Sequence, residues 1–526
     1  MLIDRCHHYG AKVCVQLSPG LGRQQFTDPF TPPYSAGSVS SFWFPDLICK
    51  PLEKEDIHYL TDKVGYSASL AVAAGADCVE LHAYGGYLLD QFQSVPKDFP
   101  ILVKFTPVQR VDGFRTIEEG VEMAKILEEA KISALHVDTG CYEEWYQAIT
   151  TVYSKQGHKL DAEKAIKEVV NIPVLGDGKL FDPALAKKVV EDETLDYVGL
   201  GHQMLADPYW PKKVKSGHTE DITPCVGCNE CLLAGFSGKH YYCAVNPLCY
   251  AEKEYALPKA DGSKKSILVI GGGPAGMEAA ITARRRGWDV QLWEKDSRLG
   301  GTLWPAGGPD FKEDVLKLII YLETQCYKSG VDVRLNTTAV PENIKDGQFD
   351  KVILAAGASP VVPPIKGIEH TTVVSDYLTH KVKAGKNVVI IGGGLAGTEA
   401  ACDIAPNAEQ VTIIEMLPDI LYSAAHCLNN DQHLKNMVKD RGVHVEANAK
   451  VTEITESSVT FEKDGQIHTI TCDTIFNAAG FKANNQLEDA LEAIYEDVTV
   501  VGDAVAPRKI LTAVHEGYHT IRVLEP

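Results

Sequence analysis

The sequence has no uninterrupted apolar run of about eighteen residues or more, the length a membrane-spanning helix needs. No basic stretch leads into an apolar segment at its start, so an export signal is not expected. Positive charge is scarce: 51 Lys and Arg stand against 71 Asp and Glu, a net charge of −20. That balance repels phosphate backbones and anionic lipid surfaces, which argues against nucleic acid or membrane as the main partner. Without export the expected compartment is the cytoplasm, where thiols stay reduced, so the fourteen cysteines are not expected to form structural disulfides. What remains is an ordinary globular composition, 45% hydrophobic, over 526 residues, enough for about three folded units.

The strongest local signals lie in the C-terminal half. "KSILVIGGGPAGMEAAITARRRGWDVQLWEKD" reads as a buried strand, a turn with Gly271, Gly273 and Gly276, a small-residue helix and a second strand ending at Glu294. Such glycines let a pyrophosphate approach the helix N-terminus, where backbone N–H groups and the helix dipole favour anions. Glu294, eighteen residues past the last glycine, is placed to accept from a ribose hydroxyl. The pattern repeats in "KNVVIIGGGLAGTEAACDIAPNAEQVTIIEM", with Gly392, Gly394, Gly397 and Glu415. A carboxylate at Glu415 with no following arginine favours NADH, because a 2′-phosphate would face it.

Residues 1–215 alternate apolar strands with helical stretches, the signature of parallel βα units. The strands expected are 11–17, 77–82, 101–107, 134–140, 172–178 and 196–201. Several end in Gly, His, Asp or Lys, so polar groups gather at one end, the ligand-binding rim of a (β/α)8 barrel. Only six strands are legible, and an open six-stranded barrel leaves two unpaired edges.

Between the halves, Cys225, Cys228, Cys231 and Cys243 follow the spacing C-x2-C-x2-C-x11-C. Zinc ribbons usually carry two separated C-x2-C pairs, which this spacing does not match. Three closely spaced cysteines and a distant fourth can reach the four corners of an iron–sulphur cubane. Zinc and plain reduced thiols stay open as alternatives. Cys249 lies close by, but Cys243 has the better spacing.

The two glycine turns, with "ILAAGASP" (353–360), "IFNAAGF" (475–481) and "VTVVGDAVAPRKILTAVHEGY" (498–518), resemble the flavoprotein reductases that bind FAD at the first turn and a nicotinamide at the second. In those proteins a Gly-Asp pair, here Gly502 and Asp503, meets the FAD ribityl–phosphate region. The order of barrel, cysteines and two dinucleotide units, with "VELHAYGGYLLDQF" (79–92), "VKFTP" (103–107) and "HVDTGCYEEWY" (136–146), resembles the old-yellow-enzyme branch. That branch contains 2,4-dienoyl-CoA reductase, 2-enoate reductase, trimethylamine dehydrogenase and the bile-acid-inducible NADH:flavin oxidoreductases.

The resemblance implies an α/β architecture of a (β/α)8-type barrel, a cysteine-rich iron–sulphur segment and two Rossmann-like domains. The boundaries expected are 1–222 for the FMN and substrate barrel, lacking its first two strands, and 223–260 for the iron–sulphur segment. FAD then takes 261–384 and 477–526, around an NADH domain at 385–476. A second shortening is expected after Phe92, where relatives carry a long loop and helix. The resemblance further implies FMN, FAD, NADH and a [4Fe–4S] cluster held by Cys225, Cys228, Cys231 and Cys243. Gln16 would meet the FMN pyrimidine edge, and Lys104 takes the place of the family's usual arginine near N1 and O2. The Gly178–Lys179 and Gly201–His202 loops would hold the phosphate, with His202 replacing another arginine. Tyr87 matches the tyrosine that protonates the substrate, and His82 the residue that holds its carbonyl.

The reaction implied is NADH-dependent reduction of the activated C=C bond of a small α,β-unsaturated carbonyl compound: an acid, a CoA ester or a steroid or bile-acid enone. The alternative is an NADH-driven electron-transfer flavoprotein without FMN or its own substrate. Amine oxidation, as in trimethylamine dehydrogenase, needs no nicotinamide, so the second dinucleotide site counts against it. Relatives of this kind are often homo-oligomers.

Overall fold

The computed structural model describes residues 2–18, 31–35, 38–41, 44–83, 98–258, 264–345, 348–424 and 427–525. Contacts divide the chain into two compact units, one of Met1–Thr150 with Ser154–Leu200 and one of Thr151–Tyr153 with Gly201–Pro526.

In the first unit β1 (Cys14–Leu17), β2 (Cys78–Ala83), β3 (Ile101–Val108), β4 (Ala134–Thr139), β5 (Val174–Gly176) and β6 (Tyr197–Val198) pair in chain order. Every pair is parallel. Helices α1 (Lys54–Ala73), α2 (Ile117–Glu129), α3 (Leu160–Lys167) and α4 (Pro183–Glu191) lie in the crossovers. Their starts are written locally. Thr116 and Glu119 form a reciprocal capping box on α2. Asp182 accepts from the N–H groups of Ala184 and Leu185 ahead of α4.

Side chains on a strand alternate between faces, so register decides what each face carries. Val103, Phe105, Leu135 and Val137 are buried against Ala124, Leu127 and Ile166 of the helices. Lys104, His136 and Asp138 alternate with them and take the other face. Pairing of His82 with Lys104, and of Gln16 with Glu80, adds those residues to the same side. A packed barrel interior is aliphatic; this face is polar. Among the described residues β1 and β6 end the sheet, so the two edges expected of six strands are present.

The second unit holds two further parallel sheets. The first has β7 (Ser266–Ile270), β8 (Asp289–Trp293), β9 (Asp332–Arg334) and β10 (Lys351–Leu354). The second is built on β11 (Asn387–Ile391), β12 (Gln410–Ile414), β13 (His444–Glu446) and β14 (Thr474–Asn477). β15 (Val498–Val500) then returns to pair with β10, so the second sheet is an insertion in the domain of the first. In both sheets the strand before the glycine turn is central, with β8 or β12 on one side and a later strand on the other, the strand-order reversal at which α/β sheets bind ligands. The helices that matter below are α5 (Glu230–Phe236), α6 (Pro274–Arg285), α7 (Leu395–Ile404), α8 (Leu428–Asp440) and α9 (Ile510–Arg522). Among the described residues no helix is long and apolar enough to cross a membrane.

Candidate functional site

The two glycine turns are the same device built twice. At the first, Gly271 has φ +106°, and a Cβ there would lie 2.3 Å from the Ala355 carbonyl oxygen. A Cβ on Gly276 would lie 1.9 Å from the Gly271 carbonyl oxygen, so this glycine lets α6 seat on the turn. Gly273 differs: nothing in the protein lies within 4 Å of its would-be Cβ. Its bareness serves no packing, and it faces the groove it lines with Glu294, Thr337, Gly357 and Asp503. Gly392, Gly397 and Gly394 repeat the three roles at β11 and α7.

The acids repeat as well. Glu294 accepts from the N–H groups of Gly272 at 2.7 Å and Asp296 at 2.8 Å. Glu415 accepts from Gly393 at 2.6 Å and Leu417 at 2.8 Å. Each carboxylate therefore holds its own turn, and its remaining lone pairs are what a ribose hydroxyl would use. The Gly502 N–H donates to Glu516 at 2.7 Å, and Asp503, which burial pushes above the usual carboxylate range, accepts from the Arg508 N–H. Both dinucleotide cradles fit their cofactors.

A second groove in this unit joins the two turns. It is lined by Pro274 and Thr302 from the first, by Gly394, Leu395 and Ala396 from the second, and by Asp503. Its wall carries an ion pair that sequence reasoning missed. Lys312 donates to both oxygens of Glu399, at 2.7 and 2.6 Å, and Tyr153 donates to the same carboxylate at 3.0 Å. Among the described residues no cysteine lines either groove.

The four cysteines of the 225–243 stretch converge in the second unit. Cys228 is raised well above the ordinary thiol range by burial first, then by the neighbouring Cys225, Cys243 and Cys231. Burial and Cys225 push Cys231 up to about 12. Backbone N–H groups of Glu230, Leu232 and Val245 aim at Cys228, Cys231 and Cys243, the kind of contact that stabilises thiolate ligands. Gly227 has φ +64°, and a Cβ there would meet the Val152 nitrogen at 2.7 Å, so the loop is tightly seated.

On the polar face of the first unit, the Gln16 amide donates to Glu80 at 2.6 Å, which leaves its oxygen for a ligand N–H. Glu80 holds the His136 ring at 2.9 Å, and the other ring nitrogen lies 3.2 Å from Asp177. Both His136 ring nitrogens thus face a carboxylate, and the Lys104 ammonium lies 3.4 Å from the second. Burial works to lower the ring's pKa, but the carboxylate bonds outweigh it and the net shift is upward. Lys104 sits 3.2 Å from both Asp138 and Asp177. Lys159, 2% exposed, reaches the same two acids at 2.5 and 2.6 Å. Burial and the Lys104 ammonium push His82 down. The face thus carries an amide, an imidazole and a fixed cation, groups that fit the polar edge of a flavin and a substrate carbonyl.

The remaining expected positions are divided. Gly178 and Lys179 follow β5, and the Lys179 ammonium donates to the Ser154 carbonyl at 2.6 Å. Gly201 and His202 belong to the second unit, where they open the helix His202–Ala206. Tyr87 lies outside the described residues. The acids and the second lysine around Lys104 went unnoticed in the sequence, although "HVDTG" alternates polar and apolar in the way a ligand-facing strand does.

Asp138→Asn is expected to leave Lys104 and Lys159 sharing Asp177 alone, at a cost of about 3–5 kcal/mol in urea unfolding. Burial alone would raise Asp138, but the two lysines outweigh it and hold it below its ordinary value. Its contribution is present above about pH 4 and is lost as pH falls through its folded value, so the substitution should also flatten the acid limb of stability.

Comparison with known proteins agrees with this layout. Residues 1–97 and 93–221 match the NADH:flavin oxidoreductase / NADH oxidase family, and 265–506 match pyridine nucleotide-disulphide oxidoreductases. The first match is made in two overlapping stretches. A cinnamate reductase of Clostridium sporogenes is 32% identical, over 99% of this chain and 86% of its own length. The chain belongs to the NADH:flavin oxidoreductase family. An NADH oxidase of Thermoanaerobacter brockii is 35% identical over 98% of this chain and 85% of its own. The solved structure of a 2-naphthoyl-CoA reductase superposes with a TM-score of 0.85 at 26% identity, over 99% of this chain and 83% of that one. Membership makes the chain a flavin- and nicotinamide-dependent oxidoreductase with an old-yellow-enzyme-type barrel and a Rossmann-type reductase module.

Proposed function

We propose that this NADH:flavin oxidoreductase reduces the activated C=C bond of a small α,β-unsaturated carbonyl compound. Bound FMN, FAD and a [4Fe–4S] cluster supply the redox chemistry, with NADH as donor. The observation that carries the reading is that four cysteines gather in the second unit, while among the described residues none lines either dinucleotide groove. A pyridine nucleotide-disulphide module without a redox disulfide needs another outlet, and a cluster is one.

The division of labour follows the boundaries expected from the sequence, with substrate chemistry at 1–222, the cluster at 223–260, FAD at 261–384 and 477–526, and NADH at 385–476. In the first unit Gln16 and Lys104 hold the FMN pyrimidine edge, and Gly178 and Lys179 serve its phosphate. His82 donates to the substrate carbonyl, and Tyr87 supplies the proton to the α-carbon, the step every such reduction requires. Cinnamate and naphthoyl-CoA, the substrates named for two relatives, share an aryl-conjugated carbonyl, so an aryl enoate or its CoA ester is the first class to test. The abundance of free thiols suits the cytoplasm.

The test is anaerobic incubation with NADH and a panel of aryl enoates and their CoA esters, with the saturated product measured. Tyr87→Phe is expected to lower kcat about 100-fold or more while flavin content is kept. NADH consumption without any saturated product across the panel would favour an electron carrier with no substrate of its own.

A further inference from the structure

Helix α9 carries two stripes of side chains with different tasks. Ala513, Glu516 and Gly517 lie three and four positions apart, on one face. Ala513 lines both dinucleotide grooves, Glu516 accepts from the Gly502 N–H, and a Cβ on Gly517 would meet the Ala275 carbonyl oxygen at 2.4 Å. This face is seated on the first glycine turn.

His515, Tyr518, His519 and Arg522 form the second stripe, and every one meets the cysteine segment or its continuation. The His515 Nε2 donates to the Cys243 carbonyl at 2.8 Å. Tyr518 donates to the Tyr255 carbonyl at 2.7 Å, the His519 ring meets the Tyr255 ring edge-on with centroids 4.7 Å apart, and Arg522 donates to the Glu254 carbonyl at 3.4 Å. Just before the helix, Lys509 donates at 2.6 Å to Glu230, which stands between Cys228 and Cys231. One helix therefore holds both ends of the long loop from Cys231 to Cys243 and the turn under the first dinucleotide cradle.

We propose that α9 is a clamp that fixes the cysteine segment against the first dinucleotide turn, with His515 as the positioning residue for Cys243. This rests on reading Cys225, Cys228, Cys231 and Cys243 as cluster ligands. The physical reason is the spacing. Eleven residues separate Cys231 from Cys243, so the fourth ligand is not placed by its neighbours in sequence as the first three are. A carbonyl can only accept, so the His515 bond fixes its proton on Nε2 and holds the Cys243 backbone at a set distance from the helix. Partners one step removed from a metal commonly hold ligand geometry in this way.

The experiment compares wild type, H515A and H515Q, all purified anaerobically, with Gln restoring an N–H donor at similar reach. Iron and FAD per chain, the rate of iron release to a chelator, and the EPR spectrum of the NADH-reduced protein are measured. H515A is expected to keep its FAD, release iron about 10-fold faster and show an altered spectrum, with H515Q returning both towards wild type. Unchanged release and spectrum in H515A, with iron present in wild type, would overturn the clamp alone. Loss of FAD and iron together in both variants would reduce His515 to a fold residue and overturn it too. Wild-type protein free of iron would remove the cluster reading and the clamp with it.

Discussion

Gly273→Ala is expected to leave the protein folded but poor in FAD, whereas Gly276→Ala is expected to lose fold and cofactor together. The two glycines stand three residues apart in one motif, and sequence alone gives them equal weight. Their surroundings differ. The Cβ of an alanine at 276 would fall 1.9 Å from the Gly271 carbonyl oxygen, and neither the turn nor α6 can yield without breaking the β7–α6 unit. At 273 the Cβ meets nothing within 4 Å and the backbone φ is −74°, which alanine accepts. It projects only into the space a pyrophosphate would occupy. Overpacking of about 1–3 kcal/mol there is roughly a 10- to 100-fold loss of affinity. FAD per chain after gel filtration and the urea midpoint separate the cases. A Gly273→Ala protein with full FAD would mean that this turn holds no dinucleotide.

Cys228→Ser is expected to remove the cluster and stop substrate reduction while NADH still bleaches the FAD. Burial and its three neighbours raise the Cys228 thiol well above its ordinary range, so a metal that takes its proton relieves a buried group. Serine keeps the shape and loses the soft ligand. Iron should fall from about four per chain towards zero, and enoate reduction by at least about 100-fold. Iron assay and anaerobic stopped-flow absorbance check the two halves. Retained iron would show that Cys249, whose thiol burial pushes up to about 11, can stand in as a ligand.

What the sequence made legible is what its local spacing determines. The six strands, the two glycine turns and their acids lie within short windows, and the second turn repeats the first down to the Gly-to-Glu hydrogen bond, 22 residues apart in both. The cysteine spacing was legible for the same reason. The unread part is made of partners that only folding brings together. Lys159 and Asp138 are 21 residues apart on different elements, Tyr153 and Glu399 are 246 apart, and His515 and Cys243 are 272 apart. No spacing rule reaches such pairs. Lys104 shows the limit most clearly: its place on the ligand face follows from period-two alternation, but its two carboxylate partners come from the ends of β4 and β5. Tyr153 was hidden for another reason, since Thr151–Tyr153 packs with the second unit while its chain neighbours belong to the first.

The central claim is that electrons from NADH reach the substrate through a one-electron carrier rather than as one hydride passed from hand to hand. A cluster carries electrons and no hydrogen, so the hydrogen of NADH must be left behind in solvent before the C=C bond is reduced. The direct measurement is mass spectrometry of the saturated product from anaerobic turnover, once with NADH deuterated at C4 in H2O and once with ordinary NADH in D2O. The product is expected to carry no deuterium from NADH, and deuterium from D2O at both the α- and β-carbons. Deuterium carried from NADH to the β-carbon would contradict the claim, because the nicotinamide would then be reducing the substrate's own flavin directly.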